Sequence, residues 1–266
     1  MFLKLEAMKN IFLTGGTGFV GRTFHFACKD KFNILNPKSS ELNLTDYSSL
    51  EKFIKSNKFD WIVHCAVRGG RRTRVDTEAD FFNNIKSLDN ILNFINDDCK
   101  LITFSSGAEI HKKYDFYGFS KKISTEIIKN KPNIKNLRIY NTFGELGMKD
   151  SFVYSTIKKC LKNEDVIIWN DMLYDCFYVG DLINLASKLI DLNSNSYQEI
   201  DCVYSEKYKL SDIAKLIKNL TSSNSNISIN NFSSNSYIGK SNLNMELVGL
   251  RNGIYNIIKD IQNEKT

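Results

Sequence analysis

Short runs of apolar residues alternate with longer amphipathic segments over the first half of the chain. Segments such as ADFFNNIKSLDNILNFI carry apolar residues at helical spacing, and SSLEKFIKS opens with Ser48 followed by Glu51, which predicts a capping box. The apolar runs predict buried strands at IFLT (11–14), FNIL (32–35), WIVHCAV (61–67), LITFSS (101–106) and LRIY (137–140). Strands that alternate with helices predict right-handed βαβ units and an α/β fold with a doubly wound parallel sheet.

The alternation loosens after Tyr140. SFVYSTIKKCL, DLINLASKLIDL and KLSDIAKLIKNL, the last beginning near Ser211, predict helices, and DVIIW predicts a short strand. The Ser- and Asn-rich segment TSSNSNISINNFSSNSYIGKSN predicts a surface loop around one exposed strand. We therefore expect a first domain over residues 1–145, rejoined by segments near 166–192, and a smaller α+β lobe in residues 146–266.

Composition argues against membrane-spanning, secreted and metal- or disulfide-stabilised classes of protein. No apolar run in the 266 residues is long enough to cross a bilayer, and the N-terminal MFLKLEAMKN lacks the apolar region of a secretion signal. Six cysteines without a CxxC pair argue against a zinc cage or disulfide framework, so we expect no metal and a cytoplasmic location. The net charge of +6 suits an anionic small molecule as well as nucleic acid and does not decide between them.

A glycine-rich turn follows the first predicted strand in TGGTGFVG. Glycines there allow a tight turn and let backbone N–H groups approach a pyrophosphate at the start of a helix, and Gly21 allows that helix to pack closely on the strand. The pattern after a strand and before an apolar helix predicts a dinucleotide site that comprises Gly15, Gly18, Phe19, Val20, Gly21 and Arg22.

The end of the second predicted strand bears on the choice of dinucleotide. A site selective for NAD usually has an acidic residue there, whereas this chain has Asn36, Lys38, Ser39 and Ser40 after Leu35. Lys38 with hydroxyl groups, and Arg22 as a second cation, would suit a 2′-phosphate. The sequence favours NADP, with NAD as the alternative.

Tyr117 and Lys121 are four residues apart in YDFYGFSKK and would lie on one face of a helix. An ammonium one turn away stabilises the phenolate, so the phenol can act as a general acid or base on a carbonyl or an alcohol. The strand LITFSS ends in Ser105 and Ser106, which could donate a hydrogen bond to the reacting oxygen at the carboxyl edge of the sheet.

These motifs together resemble the extended short-chain dehydrogenases/reductases of the NAD-dependent epimerase/dehydratase family, whose sheet is of the Rossmann type. The resemblance is carried in order by TGGTGFVG, FSSGAE, YGFSK, LRIYNTFG and DCFYVGDL, and it covers most of the chain. It implies a nucleotide-sugar substrate, a place in polysaccharide biosynthesis and a homodimer formed through the helix that bears the tyrosine.

The resemblance also implies residue roles. Tyr117 would be the acid or base, Lys121 would bind the nicotinamide ribose and lower the pKa of the tyrosine, and Ser106 would hold the substrate oxygen. Asn141 would meet the substrate near the nicotinamide. Further cofactor contacts are implied at Asn43 and Leu44, beside the adenine, and at Ala66 and Val67, along the cofactor path.

Relatives include epimerases, dehydratases and ketoreductases of nucleotide-linked sugars. Glu109 could correspond to the acid of the dehydratases, but a structural turn after the strand is the interpretation we favour. The fucose-synthase type has a cysteine two residues after the serine, where this chain has Ala108, so a plain C4 ketoreductase is implied. Many relatives have an arginine before the aspartate of DCFYVGDL to clamp the substrate pyrophosphate, and this chain has Tyr174 there.

A basic loop, VRGGRRTRVD, follows the third predicted strand. Arg68 and Arg71, with Arg72 and Arg74 nearby, could bind the diphosphate of a substrate, and a solvated loop without ligand is the equal alternative. Binding to RNA is not favoured because aromatic residues are not interleaved. The sequence thus predicts an NADP-dependent reductase of a nucleotide-linked 4-keto-6-deoxy sugar. The alternatives are a 4-epimerase with tightly bound NAD and a non-catalytic dinucleotide sensor.

Overall fold

The computed structural model describes residues 8–71, 73–147 and 149–263. Most of the N-terminal segment MFLKLEAMKN, and Arg72 of the predicted basic loop, lie outside these ranges. None of the helices within them has the length and apolar composition needed to cross a bilayer.

Strands and helices alternate up to the fifth strand, as the hydrophobic pattern predicts. The strands, in chain order, are β1 (Asn10–Thr14), β2 (Asn33–Leu35), β3 (Trp61–His64), β4 (Lys100–Ser106), β5 (Ile134–Ile139), β6 (Thr142–Phe143), β7 (Val166–Tyr174), β8 (Phe177–Tyr178), β9 (Gln198–Cys202) and β10 (Ile227–Tyr237). The helices are α1 (Phe19–Cys28), α2 (Tyr47–Asn57), α3 (Glu78–Leu92), α4 (Ala108–His111), α5 (Phe116–Ile128), α6 (Phe152–Cys160), α7 (Val179–Leu192), α8 (Leu210–Leu220) and α9 (Gly249–Asn263).

The main sheet has the strand order β2-β1-β3-β4-β5-β9. Strand β1 pairs in parallel with β2 and with β3, so that Phe12 lies opposite Leu35 on one side and Ile62 on the other, and β3 pairs in parallel with β4. The order reverses at β1, and sheets of this kind bind ligands at the carboxyl ends of the strands beside the reversal. The predicted doubly wound parallel sheet with flanking helices is confirmed.

The central strands are buried on both faces, which explains their uninterrupted apolar runs. Phe12 and Ile62 are fully buried, and the Phe12 ring lies 5.0 Å from the ring centroid of Phe53 and 5.3 Å from that of Phe59. Burial of each such side chain contributes about 1.5–3 kcal/mol to folding. This packing fixes the strand ends on which the site is built.

The start of α2 differs from the prediction. Its N-cap is Asp46, whose carboxylate accepts hydrogen bonds from the backbone N–H of Ser49 at 3.2 Å and from its hydroxyl at 2.6 Å. The predicted capping box of Ser48 and Glu51 is therefore wrong. The Asp46 carboxylate caps the orphan backbone N–H of Ser49 and also complements the helix dipole, while Glu51 pairs with Lys55 at 2.8 Å.

The remaining differences concern the ends and the later elements. The run WIVHCAV is a strand only as far as His64, and DVIIW belongs to a strand that continues to Tyr174. The sequence pattern did not identify β9 or α9. The predicted helix near Ser211 is present as α8, and the predicted exposed strand is present as β10.

The chain divides into two compact units. The first ends at Leu137 and also contains Leu185–Glu199, and the second contains Arg138–Asn184 and the chain from Ile200 onward. In the second unit β7 and β10 form a parallel pair. Asp171 of β7 accepts hydrogen bonds from the backbone N–H and the hydroxyl of Ser211, at 2.9 and 2.8 Å, and so fastens the start of α8.

Candidate active site

The glycine turn lies between β1 and α1 in the first unit. Gly15 has a φ of +67°, and a Cβ there would lie 2.5 Å from the backbone nitrogen of Ala66. The backbone N–H of Gly18 donates to the carbonyl of Gly15 at 2.9 Å, and a Cβ on Gly21 would lie 2.5 Å from that same carbonyl oxygen. Glycine is therefore required at these positions by backbone packing.

The same turn leaves the start of α1 open to an anion. Gly18 is its N-cap without a side-chain cap, no acidic residue lies in the first turn, and Phe19 and Val20 begin the helix half-buried. Free N–H groups and the helix dipole at such an end attract phosphate. The glycine turn, which we call the glycine cradle, ends at this open helix start, so these residues fit a dinucleotide pyrophosphate.

A buried polar contact lies beneath the cradle. The hydroxyl of Thr14 and Nδ1 of His64 share a hydrogen bond of 2.8 Å, and the backbone N–H of Ala66 donates to the same hydroxyl at 3.2 Å. Burial, with a smaller effect of the Lys121 charge, lowers the pKa of His64 to about 3. His64 is therefore neutral at physiological pH and joins the ends of β1 and β3.

The end of β2 brings a neutral side chain to the glycine turn. A Cβ on Gly16 would lie within 2.1–2.3 Å of the Asn36 amide group, so this amide packs directly on the turn. Lys38 is exposed, and its backbone N–H is held by the Glu41 carboxylate at 2.8 Å. Arg22, the second predicted cation, is also exposed.

The two predicted adenine neighbours lie after β2. The Asn43 carboxamide oxygen accepts hydrogen bonds from the backbone N–H and the hydroxyl of Thr45 at 3.1 and 2.9 Å. The Leu44 carbonyl accepts from the buried side chain of Asn90 at 2.8 Å. This segment is thereby tied to α3.

The two serines at the end of β4 have different surroundings. Ser105 donates to the buried carboxylate of Glu109, which also accepts from the hydroxyl of Thr125 at 2.6 Å. Ser106 takes no part in that network, and its hydroxyl accepts a hydrogen bond from the backbone N–H of Ala108 at 3.2 Å. The network supports the interpretation of Glu109 as structural and leaves the Ser106 hydroxyl as the one that can donate to a ligand.

Tyr117 and Lys121 lie one turn apart in α5, as predicted. The Lys121 ammonium is 5.8 Å from the centroid of the Tyr117 ring and donates to the Phe104 carbonyl at 2.5 Å. Burial lowers the pKa of Lys121 to about 8, although the nearby Glu109 carboxylate and the Cys65 thiol oppose the shift. The ammonium therefore stays charged at neutral pH and is fixed to β4 two residues before Ser106.

A small cavity of about 20 Å³ lies beside Lys121. Ala66 and Val67, the residues predicted along the cofactor path, line it together with His64 and Asn136. Its volume is sufficient for about one water molecule. In the part of the chain that the structure describes, the buried Asn136 Oδ1 has no hydrogen-bond partner.

The basic loop after β3 lies against the tyrosine. A Cβ on Gly70, where φ is +72°, would be 2.8 Å from Cζ of Tyr117, so the loop backbone packs on the ring. The Asn84 carboxamide binds the backbone of Arg68 in both directions: its oxygen accepts from the N–H at 2.8 Å and its nitrogen donates to the carbonyl at 2.9 Å. Arg68 and Arg71 are exposed, whereas Arg74 pairs with Asp80.

Asn141 lies in the second unit, in a backbone conformation with a φ of +36°. Its carboxamide nitrogen donates to the Asp175 carbonyl at 3.0 Å, and its oxygen accepts from the Tyr174 hydroxyl at 2.5 Å. Asp175 is in turn paired with Lys207 at 2.7 Å. The side chain that was predicted to meet the substrate is therefore already hydrogen-bonded on both sides within its own unit, and its contact with substrate stays a prediction.

Three contacts of the site were not predicted: Thr14 with His64, Asn36 with Gly16, and Asn84 with Arg68. Asn36 could have been identified as the first residue after β2, where a carboxylate was sought. The other two join residues 50 and 16 positions apart, and no local motif marks them. Among the described residues no group of three His, Cys, Asp or Glu could hold a metal ion.

Comparison with known proteins gives relatives whose names refer to nucleotide-linked sugars. The CDP-abequose synthase of Salmonella muenchen is 24% identical over 252 residues, a match that covers 84% of each chain. The solved GDP-mannoheptose C4 reductase of Campylobacter jejuni with NADP bound is 17% identical, with a TM-score of 0.76 over 96% of this chain and 98% of that one. The UDP-glucose 4-epimerase of Thermotoga maritima with UDP-glucose is also 17% identical, with a TM-score of 0.75 over 97% and 100%. At these identities the two structures establish likeness of fold.

A family model identifies the group more directly. The model described as NAD dependent epimerase/dehydratase family matches residues 11–202, well over half of the chain. This range contains the glycine turn, Ser106, Tyr117 and Lys121 in the order that the sequence motifs indicated. The chain therefore belongs to the NAD dependent epimerase/dehydratase family.

Proposed function

We propose that this chain is an NADP-dependent reductase that converts the C4 ketone of a nucleotide-linked 4-keto-6-deoxy sugar to an alcohol. The observation that carries the proposal is the half-buried Lys121 ammonium, fixed to the Phe104 carbonyl and held 5.8 Å from the Tyr117 ring centroid in the unit that contains the glycine turn. The coarser activity, an NAD(P)-dependent enzyme that acts on nucleotide sugars, is supported by family membership and by relatives named as a CDP-abequose synthase and a GDP-mannoheptose C4 reductase.

The cofactor would be held by the glycine turn and the start of α1. Gly15, Gly18 and Gly21 form the tight turn that would bring backbone N–H groups to its pyrophosphate, and Lys38 with Arg22 would bind a 2′-phosphate. Asn36, at the end of β2, places no carboxylate against that phosphate. NADP is therefore the cofactor that we propose, with NAD as the alternative. When bound, it supplies the hydride for reduction at C4.

Residues of this chain would donate the proton and stabilise the charge that remains. Ser106 donates a hydrogen bond to the C4 oxygen and holds it near Tyr117, and the Tyr117 phenol then gives its proton to that oxygen as the ketone becomes an alcohol. The Lys121 charge stabilises the phenolate that remains. Because Lys121 is fixed to the Phe104 carbonyl, its charge is already in place before substrate binds.

We also propose that the protein is a cytoplasmic homodimer. Six cysteines without a disulfide support a reducing compartment. Aromatic side chains exposed on α3 and α5, Phe82 and Phe119, support self-association through the helix that bears Tyr117.

The test is NADPH oxidation by the purified chain with GDP-, CDP- and dTDP-linked 4-keto-6-deoxy sugars. We expect one of these sugars to be reduced with one NADPH consumed per product, and Tyr117→Phe to lower kcat by about 10²–10⁴-fold while NADPH still binds. Tyr114→Phe is the matched control, because Tyr114 is 90% exposed in the same segment. Conversion of a nucleotide sugar to its C4 epimer without net NADPH oxidation would favour the epimerase alternative. Unchanged activity of Tyr117→Phe would exclude the mechanism.

A further inference from the structure

We propose that the loop after β3 binds the diphosphate of the nucleotide-linked substrate through Arg68 and Arg71. We name residues 68–71 and 73–76 the arginine loop. The proposal rests on the proposed function and adds to it the part of the first unit that recognises the activated sugar.

The arginine loop is fixed at both of its ends. Asn84 of α3 binds the backbone N–H and carbonyl of Arg68, and the same carboxamide nitrogen donates to the hydroxyl of Ser120 at 3.3 Å. The backbone N–H of Gly70 donates to the Asp76 carboxylate at 2.9 Å, which closes the loop on itself. A loop held in this way loses little conformational entropy when it binds a ligand.

The arginine loop also lies at the candidate reacting centre. The close approach of Gly70 to Cζ of Tyr117 places the loop backbone over the phenol end of the ring. Ser120, which Asn84 contacts, donates to the Tyr117 carbonyl at 2.8 Å, so the loop and the tyrosine share one hydrogen-bonded support. A ligand bound to Arg68 or Arg71 would therefore be attached beside the proposed proton donor.

The described arginines of the arginine loop differ in whether a carboxylate neutralises them. Arg74 is neutralised by the buried Asp80 carboxylate, which also accepts from the hydroxyl of Thr77 at 2.8 Å and whose pKa is lowered to about 2 by these hydrogen bonds. The side chains of Arg68 and Arg71 are exposed and have no hydrogen bond or ion pair with any residue in the described ranges. Two permanently charged guanidinium groups three residues apart match a diphosphate, whose two phosphoryl groups can each accept a forked pair of hydrogen bonds.

Two cations of the second unit are paired within that unit. In that unit Arg138 is neutralised by Asp201, and Lys207 by Asp175. The hydroxyl of Tyr174 is bonded to Asn141. Arg138 and Lys207 are therefore neutralised by carboxylates of their own unit.

Binding of nucleoside diphosphates to the full chain, measured by isothermal titration calorimetry with UDP, CDP, GDP and dTDP, tests the proposal without turnover. We expect at least one to bind, its monophosphate to bind more weakly, and Arg68→Ala and Arg71→Ala each to weaken the diphosphate by about tenfold or more, the loss of one charge-assisted contact. NADPH affinity should stay within about twofold in both variants. Arg251→Ala, an exposed arginine on α9, is the matched control and should change neither affinity.

Four results would overturn the proposal: no binding of any of the four diphosphates, unchanged diphosphate affinity in both variants, equal affinity for mono- and diphosphates, or a loss of NADPH affinity that equals the loss for the diphosphate. The last would assign the arginines to the cofactor. Failure of the proposed function is a separate result. A chain that binds a diphosphate through Arg68 and Arg71 but never oxidises NADPH with a keto sugar would refute the reductase and retain this anion site.

Discussion

Asn36 is the residue that bears most directly on the choice of cofactor. Its carboxamide packs on Gly16 at the end of β2, the place from which a carboxylate would reach the ribose hydroxyls of NAD and repel the 2′-phosphate of NADP. The Asn36 carboxamide carries no charge, so it does not repel a 2′-phosphate at this position. Selectivity for NADP would therefore come from Lys38 together with the absence of a carboxylate at residue 36.

Asn36→Asp is expected to reverse this selectivity. A carboxylate against the glycine turn should weaken NADPH binding by about tenfold or more and bring NADH closer to it, because like charges repel at short range. Titration of both dinucleotides by fluorescence measures the ratio. Asn33→Asp, at the opposite end of the same strand, is the matched control. An unaltered ratio in Asn36→Asp would mean that residue 36 does not face the ribose.

His64 makes the stability of the protein sensitive to acid. Its pKa is about 3 in the folded chain and about 6.5 when unfolded, so between these values the unfolded state binds more protons and stability falls as pH falls. From pH 7 to pH 5 the loss from this one residue is about 2 kcal/mol. His64→Asn keeps a polar partner for Thr14 and removes the titration.

Urea unfolding at pH 7 and pH 5 measures this contribution. The unaltered chain should lose about 2 kcal/mol more than His64→Asn over that interval, since the other titrating groups are common to both. Equal losses in the two proteins would show that His64 is protonated in the folded state and that the cavity beside Lys121 admits its charge.

At the scale of elements, α3 determines where the arginine loop lies. Asn84 replaces the hydrogen-bonding partners that a neighbouring strand would give to the backbone of Arg68. Without it, two backbone groups next to the site lose their partners, and the approach of Gly70 to Tyr117 loses its support on that side.

Asn84→Ala should therefore loosen the arginine loop and misplace Tyr117. We expect faster hydrogen exchange in residues 68–70 and a fall in kcat of about tenfold, with NADPH affinity nearly unchanged. Asn83→Ala is the control from the same helix, because the Asn83 side chain is hydrogen-bonded to the carbonyl of Ala79 one turn away and makes no hydrogen bond to the arginine loop among the described residues. If exchange in the loop is equal in the two variants, Asn84 does not hold it.

The elements themselves were predictable to different degrees. β1, β3 and β4 are buried on both faces, so their apolar runs are visible in the sequence, and α3 has a clear helical pattern. The start of α2 was misassigned because Ser48 satisfies the capping-box pattern, whereas Asp46 makes the actual cap. β9 has the polar sequence QEIDC, and α9 opens at Gly249, so neither gives a strong local signal.

At the scale of the molecule, exposed aromatic rings predict how the chain associates. Phe82 is 58% exposed and Phe119 is 42% exposed, and the Phe81 ring stacks on Phe119 at 5.2 Å, so α3 and α5 present one apolar patch. Water-exposed rings of this extent favour burial against a second copy.

Light scattering after size exclusion should give the mass of a dimer for the unaltered chain and of a monomer for the double variant Phe82→Glu with Phe119→Glu. Phe26→Glu is the control, because Phe26 is 70% exposed on α1 and should leave the mass unchanged. A dimer that persists in the double variant would place the interface elsewhere.

The order of motifs predicted the fold and the family, because each motif is a local pattern at the end of a strand or the start of a helix. The contacts that determine the chemistry were harder to predict from the sequence. Glu109 and Thr125 determine which of the two serine hydroxyls, Ser105 or Ser106, can donate to a ligand. Asp80 determines which arginines of the loop can bind an anion, because it pairs with Arg74. These contacts arise from packing between separate segments of the chain. Such partners are not marked in the sequence.

In the proposed reaction, hydride reaches C4 of a nucleotide-linked keto sugar while Tyr117 supplies the proton. Single-turnover reaction with NADPH deuterated at the transferable position, followed by mass spectrometry and NMR of the sugar, tests it most directly. We expect one deuterium at C4 of an alcohol product for each NADPH oxidised, and none with Tyr117→Phe on the same time scale. An alcohol product without deuterium at C4 would contradict the proposed reaction. Deuterium at C4 of the sugar without net oxidation of NADPH would also contradict it.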